Sequence, residues 1–316
     1  MADAASNELA AVLCEVLAAD VVADVVRLSG GASRETFRFV ADGRALILQR
    51  QRSGDVRDMG IEASVVRAVW AAGAPVAQLV ASSAEASELG SAYMIMTAVE
   101  GETIARKILR DDHFAHAREV LPAQLGVALA QVHAVATDKM TGLTMLDQVN
   151  QYRDVLDQLG QPHPTFELVF KWLEANRPPA RPPVLVHGDF RLGNVIVGEE
   201  GLRAVLDWEL AHLGDPMEDL GWLCVKAWRF GSRLPVAGVG EYDHLFAAYE
   251  AAGGGAVDPD VVRWWEVLGT LKWGIMCIGQ ANTHIIGAAR SHELAAIGRR
   301  VCENEYDLFL ALEGRW

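Results

Sequence analysis

The chain has 316 residues, which is longer than a single hydrophobic core usually supports, so two lobes are expected. Hydrophobic residues make up 51% and charged residues 22% of the chain, a composition that excludes a disordered protein. The formal net charge of -14, without any lysine- and arginine-rich run, argues against nucleic acid as a partner.

The first third of the chain predicts one helix followed by strands. Apolar residues recur at helical spacing between positions 9 and 17, and Ser6 or Asn7 is the predicted cap of this helix. A hairpin turn is predicted at Asp42-Gly43, and a second helix over residues 59–72. Strand-like runs cover residues 25–28, 36–40, 45–49, 76–80 and 93–97.

The pattern becomes mainly helical after residue 99, with a long helix expected over residues 121–135. We therefore expect an α+β fold with two lobes. Residues 1–97 are predicted to form a small β-rich N-lobe, and residues 98–316 a larger, mainly helical C-lobe.

The most informative stretch is the segment 186–194, which has the pattern of a strand followed by a polar loop. Asp189 and Asn194 lie five positions apart in this loop, and Asp207 follows thirteen positions later, after the next apolar run. This spacing is typical of kinase-type phosphoryl transfer. In that chemistry a carboxylate aims the attacking hydroxyl group, and side-chain oxygens hold magnesium.

These residues resemble the aminoglycoside phosphotransferase-like family, a branch of the protein-kinase-like fold that includes choline kinases and other small-molecule kinases. The resemblance covers nearly the whole chain and rests on three segments in the same order, namely 187–194, 206–209 and 214–220. Within the family, the chain is most similar to the kinase-like domains fused to, or encoded beside, acyl-CoA dehydrogenases. The resemblance implies a nucleotide in the cleft between the two lobes.

The resemblance also implies a role for each polar residue of the motif. Asp189 is the expected catalytic base, and Asn194 and Asp207 are the expected ligands of Mg²⁺. Asp207 corresponds to the aspartate that begins the metal-binding motif of protein kinases, and His187 is expected to anchor the loop. The residues alone leave another interpretation open, in which Asp189 and Asn194 only cap a loop through hydrogen bonds to its backbone.

The turn between the first two strands is expected to cover the nucleotide phosphates. It contains Gly30, Gly31 and Ser33, and glycines at such a turn let backbone N–H groups approach phosphate oxygens. An ordinary hairpin turn is the alternative for these three residues.

Kinases usually place a phosphate-pairing lysine on the third strand, but this chain has no lysine before Lys107. Gln49 or Arg50 occupies that position. Relatives of the dehydrogenase-associated type often carry arginine there, so the resemblance makes Arg50 the natural substitute. Arginine is always protonated and can bind phosphate with two nitrogens. Side chains alternate along a strand, so only one of the two can face the cleft. Glu62, on the following helix, is the expected carboxylate partner of this cation.

Several other residues carry predictions. The backbone near Met96 and Ala98 is expected to meet the adenine, with a plain core role as the alternative for Met96. Asp219 is expected to brace the catalytic loop, and His133 to be a hydrogen-bonded core residue. The tryptophans are predicted to be mostly core, with one or two lining the acceptor pocket. Candidates to meet an acidic group of the substrate are Lys226, Arg229, His284 and Arg290.

The chain is therefore predicted to be a phosphotransferase that uses ATP and Mg²⁺ to phosphorylate the hydroxyl group of a small molecule. The missing strand lysine leaves open a catalytically weak, nucleotide-binding regulator of the same fold. A third class, a metallohydrolase using His187, Asp189, Asp207 and His212, lacks a clustered motif such as His-Glu-x-x-His. The acceptor is open among aminoglycosides, choline-like amines, sugars and hydroxyacyl-CoA-type compounds, as is the choice between ATP and GTP.

Cysteines and apolar runs bear on the compartment. The four cysteines are scattered without a Cys-x-x-Cys pair, which predicts free thiols. The N-terminus lacks the basic segment of a secretory signal, and the apolar runs are too short or interrupted to cross a bilayer. We expect a cytoplasmic protein without a membrane partner. The sequence leaves its oligomeric state open, and a homodimer is one possibility.

Overall fold

Five strands form an antiparallel sheet in the N-terminal part of the chain. The strands are β1 (Val22–Arg27), β2 (Arg34–Ala41), β3 (Arg44–Gln51), β4 (Leu79–Ser83) and β5 (Tyr93–Thr97), and they lie in the order β1-β2-β3-β5-β4. Asp42 and Gly43 join β2 to β3 with positive φ angles of 47° and 78°, so the predicted hairpin turn is confirmed. This computed structural model describes residues 2–28, 34–52, 57–86, 88–138 and 140–315.

The two faces of the sheet have different neighbours, because successive side chains of a strand point to opposite sides. One face packs against α1 (Ala2–Leu17), and Leu13 and Phe39 are fully buried between them. The other face packs against α2 (Met59–Ala71), where Met94 of β5 is fully buried. Residues of β2 and β3 therefore belong either to the α1 side or to the α2 side of the sheet.

Helices dominate the chain from residue 105 onwards, as the sequence predicted. They are α3 (Ala105–Arg110), α4 (Ala115–His133), α5 (Gln148–Leu159), α6 (Pro164–Ala175), α7 (Met217–Cys224), α8 (Tyr242–Ala251), α9 (Pro259–Ile285), α10 (His292–Ile297) and α11 (Val301–Leu312). The 27-residue helix α9 contacts α5, α6, α7, α10 and α11, and so forms the centre of this part of the chain.

Two small antiparallel sheets support the polar motif. Their strands are β6 (Val184–Val186), β7 (Val195–Gly198), β8 (Gly201–Val205) and β9 (His212–Gly214). β6 pairs with β9, and β7 pairs with β8. The loop 187–194 and the segment 206–211 therefore emerge side by side. The N–H of Val205 donates to the carbonyl oxygen of Pro75 over 2.7 Å, which joins this region to the N-terminal part.

The boundaries of one strand and of the first helix differ from the sequence predictions. The strand expected at residues 76–80 is Leu79–Ser83, because Val76 instead forms a parallel bridge with Val205. The first helix begins at Ala2, so Ser6 and Asn7 lie inside it and do not cap it. No described helix is both long and apolar enough to cross a membrane. The predicted α+β organisation is confirmed.

Candidate active site

Three side chains surround the carboxylate of Asp189, at the centre of the loop between β6 and β7. The indole N–H of Trp222 donates to Oδ1 over 2.7 Å, and Asn194 Nδ2 donates to Oδ2 over 2.6 Å. Arg191 Nε lies 3.1 and 3.2 Å from the two oxygens. A carboxylate offers about four lone-pair positions, so these donors fix the orientation of Asp189.

The buried carboxylate of Asp219, in α7, holds the backbone of the loop. Its oxygens accept the N–H groups of His187 at 2.8 Å and of Gly188 at 3.0 Å. His133 Nε2 lies 3.2 Å from the same carboxylate, and His133 Nδ1 lies 2.8 Å from the hydroxyl of Tyr249. Burial alone raises the pKa of Asp219, but His133 and the backbone donors outweigh it and lower the pKa. The predicted roles of Asp219 and His133 are confirmed.

The ring of His187 joins the loop to the residue that precedes Asp207. The ring is fully buried, Nδ1 accepts the N–H of Asp189 at 3.1 Å, and Nε2 lies 2.9 Å from the carbonyl oxygen of Leu206. These two bonds assign the ring proton to Nε2. Burial lowers the pKa of the imidazole and keeps it neutral. With both nitrogens engaged, His187 anchors the loop as predicted.

Asp207 follows β8 with a left-handed backbone, at a φ of 65°. The N–H of Leu206 donates to the carbonyl oxygen of Asn194 over 2.8 Å, which brings the two predicted magnesium ligands to the same place. The Asp207 side chain is open to solvent, yet surrounding protein removes part of its hydration. This desolvation, and then the charges of Glu209 and Asp189, raise the pKa of Asp207 to about 6.

The oxygen atoms at this place fit a magnesium ion. Asn194 uses Nδ2 for its bonds to Asp189, and its Oδ1 accepts no hydrogen bond from any residue that the structure describes. The same holds for the carboxylate of Asp207. Carboxylate and amide oxygens suit Mg²⁺, which usually takes one or two protein ligands and completes its shell with water and phosphate oxygens.

The metallohydrolase alternative does not fit the geometry. Within the described ranges, no group of three or more His, Cys, Asp or Glu side chains is arranged to hold a metal ion. His212 Nε2 lies 3.1 Å from Glu218, and its Nδ1 lies 2.8 Å from the carbonyl oxygen of Leu210. Because the ring nitrogens of both His187 and His212 are engaged, neither imidazole is available to a zinc ion.

The structure decides which residue of β3 faces the cleft. Gln49 lies on the α2 side of the sheet, where its Oε1 accepts a hydrogen bond from Arg34 Nη1 at 3.1 Å. Arg50 lies on the α1 side, where it pairs with Glu35 at 2.6 Å and its guanidinium lies over the ring of Phe37. The expectation that Arg50 replaces the strand lysine is therefore corrected, because the alternation of the strand turns it away from the cleft.

Glu62, the predicted carboxylate partner, pairs with Arg34 of β2. Arg34 Nη1 donates to Glu62 Oε1 over 2.7 Å, and Nη2 contacts the second oxygen, so the pair is bidentate. Both side chains are 6% exposed. The sequence prediction missed Arg34. The signal was present, since the hairpin register places Thr36 opposite Gln49 and puts Arg34, two residues away, on the same face.

The other predicted nucleotide contacts have different outcomes. Gly30, Gly31 and Ser33 lie outside the described residues. Met96 is buried in the main core opposite Ile47. The N–H of Ala98 donates to the carbonyl oxygen of Ala45 over 2.9 Å, so this N–H is not available to an adenine and the carbonyl group of Ala98 is the part left for such a contact.

Aromatic and basic side chains lie beside Asp189 on the helical side. The rings of Trp222 and Trp228 lie 5.2 Å apart. The guanidinium of Arg191 lies 4.8 Å from the centre of the Trp228 ring, and Lys272 Nζ lies 4.5 Å from the centre of the Trp222 ring. The contact of Trp222 with the predicted base was not foreseen, because the two residues are distant in sequence.

A cavity of about 660 Å³ lies near Trp228, between the segment 226–233 and α11. Its charged lining residues are Lys226, Arg229, Arg233, Arg300, Glu303, Asp307 and Arg315. Two predicted contacts of an acidic substrate group lie here, and both are engaged by carboxylates: Lys226 by Asp307 at 2.6 Å, and Arg229 by Glu266 at 3.5 Å. Basic residues nevertheless outnumber acidic ones in this cavity.

Comparisons with known proteins show which family and which relatives this chain is similar to. The model of the phosphotransferase enzyme family matches residues 24–265. Acyl-CoA dehydrogenase family member 11 of Gallus gallus is 26% identical over 321 residues, covering 90% of this chain and 40% of that protein. Acyl-CoA dehydrogenase family member 10 of Mus musculus is 26% identical over 231 residues, covering 67% of this chain and 21% of that protein. The chain thus spans less than half the length of these relatives.

Solved structures share the fold. A candidate aminoglycoside phosphotransferase from Ralstonia eutropha JMP134 has a TM-score of 0.76 at 20% identity, with 98% of both chains covered. Spectinomycin phosphotransferase APH(9)-Ia, in complex with ADP and spectinomycin, has a TM-score of 0.66 at 14% identity, with 96% of this chain and 98% of that chain covered. The predicted two-part, kinase-like fold and the resemblance to proteins associated with acyl-CoA dehydrogenases are confirmed.

Proposed function

This chain belongs to the phosphotransferase enzyme family, and from that premise we propose that it transfers the γ-phosphoryl group of ATP to a hydroxyl group of a small molecule. One observation carries the proposal, namely the convergence of Asp189, Asn194 and Asp207. Asn194 Nδ2 donates to the carboxylate of Asp189 over 2.6 Å, and the backbone carbonyl oxygen of Asn194 accepts the N–H of Leu206, the residue before Asp207, over 2.8 Å. The side chain of Asn194 is thereby bonded to Asp189, and its backbone to the residue before Asp207, which supports a base and two oxygen ligands placed close together, as phosphoryl transfer requires.

Asp189 acts on the acceptor. Its carboxylate accepts a hydrogen bond from the acceptor hydroxyl and takes the proton as the new O–P bond forms and the bond between the γ-phosphorus and the ADP oxygen breaks. Because the transition state is loose, the position of Asp189 contributes more than its basicity. All four lone-pair positions of the carboxylate are used in this structure, so one contact with Arg191 gives way when the hydroxyl arrives.

Asn194 and Asp207 would hold Mg²⁺ through Oδ1 and the carboxylate. The ion, when bound, neutralises negative charge on the phosphates. Asp207 has a left-handed backbone, which costs a residue other than glycine about 1 kcal/mol or more. This cost supports a functional reason for the direction in which the Asp207 side chain leaves the backbone.

The acceptor belongs to the small molecules with a hydroxyl group. Related structures hold spectinomycin or kanamycin, and these compounds belong in any screen. The basic cavity between the segment 226–233 and α11 favours adding compounds with an acidic group to the screen, because a positive lining attracts anions. A balanced panel therefore contains aminoglycosides, choline, sugars and hydroxy acids, free and as thioesters.

The test is ADP release from Mg-ATP across this panel, with the wild type and Asp189→Asn. We expect turnover with at least one acceptor, and a fall of at least about 100-fold in Asp189→Asn because the base is removed. Asp243→Asn, on the exposed surface of α8, serves as the control and should match the wild type. Equal turnover of Asp189→Asn and the wild type would refute the catalytic role.

The same screen distinguishes an active phosphotransferase from a catalytically weak, nucleotide-binding regulator of the same fold. The neutral Gln49, at the position where kinases have a lysine, favours the regulator. In that case Mg-ATP raises the melting temperature of the protein by binding the folded state, yet no member of the panel is phosphorylated. Reproducible turnover of any acceptor removes this alternative.

A further inference from the structure

Arg34 lies at the junction of three elements around the cleft. Its guanidinium contacts Glu62 of α2 and Gln49 of β3, and its Nη2 lies 3.6 Å from Glu209. Glu209 lies two residues beyond Asp207, the candidate magnesium ligand. The buried cation is therefore next to the place where the phosphates of a nucleotide would meet the metal.

The guanidinium retains N–H groups that the described residues do not satisfy. Of its five N–H groups, two donate to Glu62 and one donates to Gln49. Nε is buried and has no hydrogen-bond partner within the described ranges, and the 3.6 Å from Nη2 to Glu209 is too long for a hydrogen bond. A buried N–H without an acceptor is costly, and a phosphate oxygen would supply the missing acceptor.

Other basic side chains of the sheet have different positions. Arg50 pairs with Glu35 on the α1 side, and Arg38 pairs with the exposed Glu100 at 2.6 Å. The third strand presents the neutral Gln49 to the cleft. Arg34 thus combines three properties that the strand lysine has in kinases: a positive charge, a carboxylate partner on the next helix, and a place beside the predicted metal ligands.

Resting on the proposed function, we propose that Arg34, on the second strand, is the residue that binds the nucleotide phosphates in place of a lysine on the third strand. Glu62 holds two of its nitrogens and fixes the plane of the guanidinium. The unsatisfied Nε–H and the second N–H of Nη2 bind the phosphate oxygens.

The test compares two arginine–glutamate pairs that each include one residue of β2, namely Arg34–Glu62 on the α2 side of the sheet and Arg50–Glu35 on the α1 side. R34Q/E62Q removes both charges of the cleft pair at once, so that no buried charge is left without its partner. R50Q/E35Q does the same on the α1 side. For each variant, calorimetry gives the affinity for Mg-ATP and for adenosine, which has the base and sugar but no phosphate.

We expect R34Q/E62Q to bind Mg-ATP about tenfold or more weakly, because a charge-assisted contact with phosphate is lost, and to bind adenosine as the wild type does. R50Q/E35Q should bind both ligands within about twofold of the wild type. R34Q/Q49K, which keeps Glu62 and returns a cation to the third strand, should recover most of the Mg-ATP affinity.

Wild-type affinity of R34Q/E62Q for Mg-ATP would overturn the assignment, as would an equal loss for adenosine, which would indicate a purely structural role. If R34Q/E62Q does not fold, R34M/E62M takes its place under the same criterion, since it also removes both charges and fills the buried positions with apolar side chains. A wild-type protein that binds no Mg-ATP would overturn the proposed function itself, and the role of Arg34 with it.

Discussion

The indole N–H of Trp222 donates a hydrogen bond of 2.7 Å to Oδ1 of Asp189, a residue 33 positions earlier in the chain. Trp222 belongs to α7, the same helix that supplies Asp219, whose carboxylate accepts backbone N–H groups of the loop 187–194. One helix of eight residues therefore holds both the side chain of the predicted base and the loop that carries it. Changes in α7 should act on turnover more than on nucleotide binding.

Trp222→Phe tests this relationship. The phenyl ring keeps most of the apolar packing but has no N–H. The Asp189 carboxylate therefore loses one hydrogen-bond donor, and its orientation is less tightly fixed. We expect kcat to fall about tenfold with little change in the affinity for Mg-ATP, since a hydrogen bond to a charged group is lost. Trp264→Phe is the matched control, because that buried indole N–H donates to the carbonyl oxygen of Leu173, away from the site. An equal effect of both substitutions on kcat would contradict the assignment.

Asp207→Asn tests the proposed magnesium site. The amide keeps the size of the side chain but lacks the negative charge that a divalent cation requires. We expect Mg²⁺ to tighten ATP binding to the wild type, and this tightening to fall by at least about tenfold in the variant. Titration of ATP with and without Mg²⁺ measures the effect, with Asp243→Asn as the control. A variant that responds to Mg²⁺ like the wild type would show that Asp207 is no ligand.

Gly188 precedes the predicted base with a φ of 81°, and a Cβ atom there would lie 2.5 Å from the carbonyl oxygen of Leu210. Gly188→Ala should therefore lower the free energy of unfolding by about 2–4 kcal/mol and displace Asp189. Gly231, at a φ of 90°, has no neighbour within 4 Å of a Cβ, so Gly231→Ala should cost only about 1 kcal/mol. Denaturant unfolding measures the loss of stability in each variant, and the difference between the two losses is the effect of the contact between the new Cβ and Leu210. Equal losses of stability would show that this contact costs nothing beyond the backbone strain.

Glu266 predicts a pH dependence of stability. Burial raises the pKa of this carboxyl to about 7 from its ordinary value of 4.5, although Arg229 and the hydroxyl of Tyr242 act in the opposite direction. Between these two values the folded protein binds more protons than the unfolded chain. The contribution of Glu266 to stability is therefore present below pH 4.5, falls as the pH rises to 7, and changes no further above it.

Glu266→Gln removes this titration. We expect the wild type to lose on the order of 3 kcal/mol relative to the variant between pH 4.5 and 7. Chemical unfolding at several pH values measures the difference. Glu174→Gln, at an exposed position of α6, should follow the wild type at every pH. Parallel curves for the wild type and Glu266→Gln would refute the raised pKa.

The sequence alone identified the α+β fold, the family and the polar motif, and the structure brings the three motif residues together as expected. Asp189 and Asn194 share one short loop, and Asp207 follows the hairpin that begins at Asn194, so chain connectivity alone keeps them close. Glu62 pairs with an arginine as expected, but its partner is Arg34 of β2 and not the predicted residue of β3.

The tertiary structure decided the partners of these residues. Glu62 pairs with Arg34 and not with Arg50, because Arg34 lies on the face of the sheet that packs against α2. The alternation of side chains along a strand predicts that there are two faces, but it does not predict which of them lines the cleft. Trp222 and Asp219 reach the loop 187–194 from α7, and His133 of α4 contacts Asp219. Local sequence sets backbone conformation over a few residues, whereas contacts between distant segments depend on how whole elements pack, which a short motif does not encode.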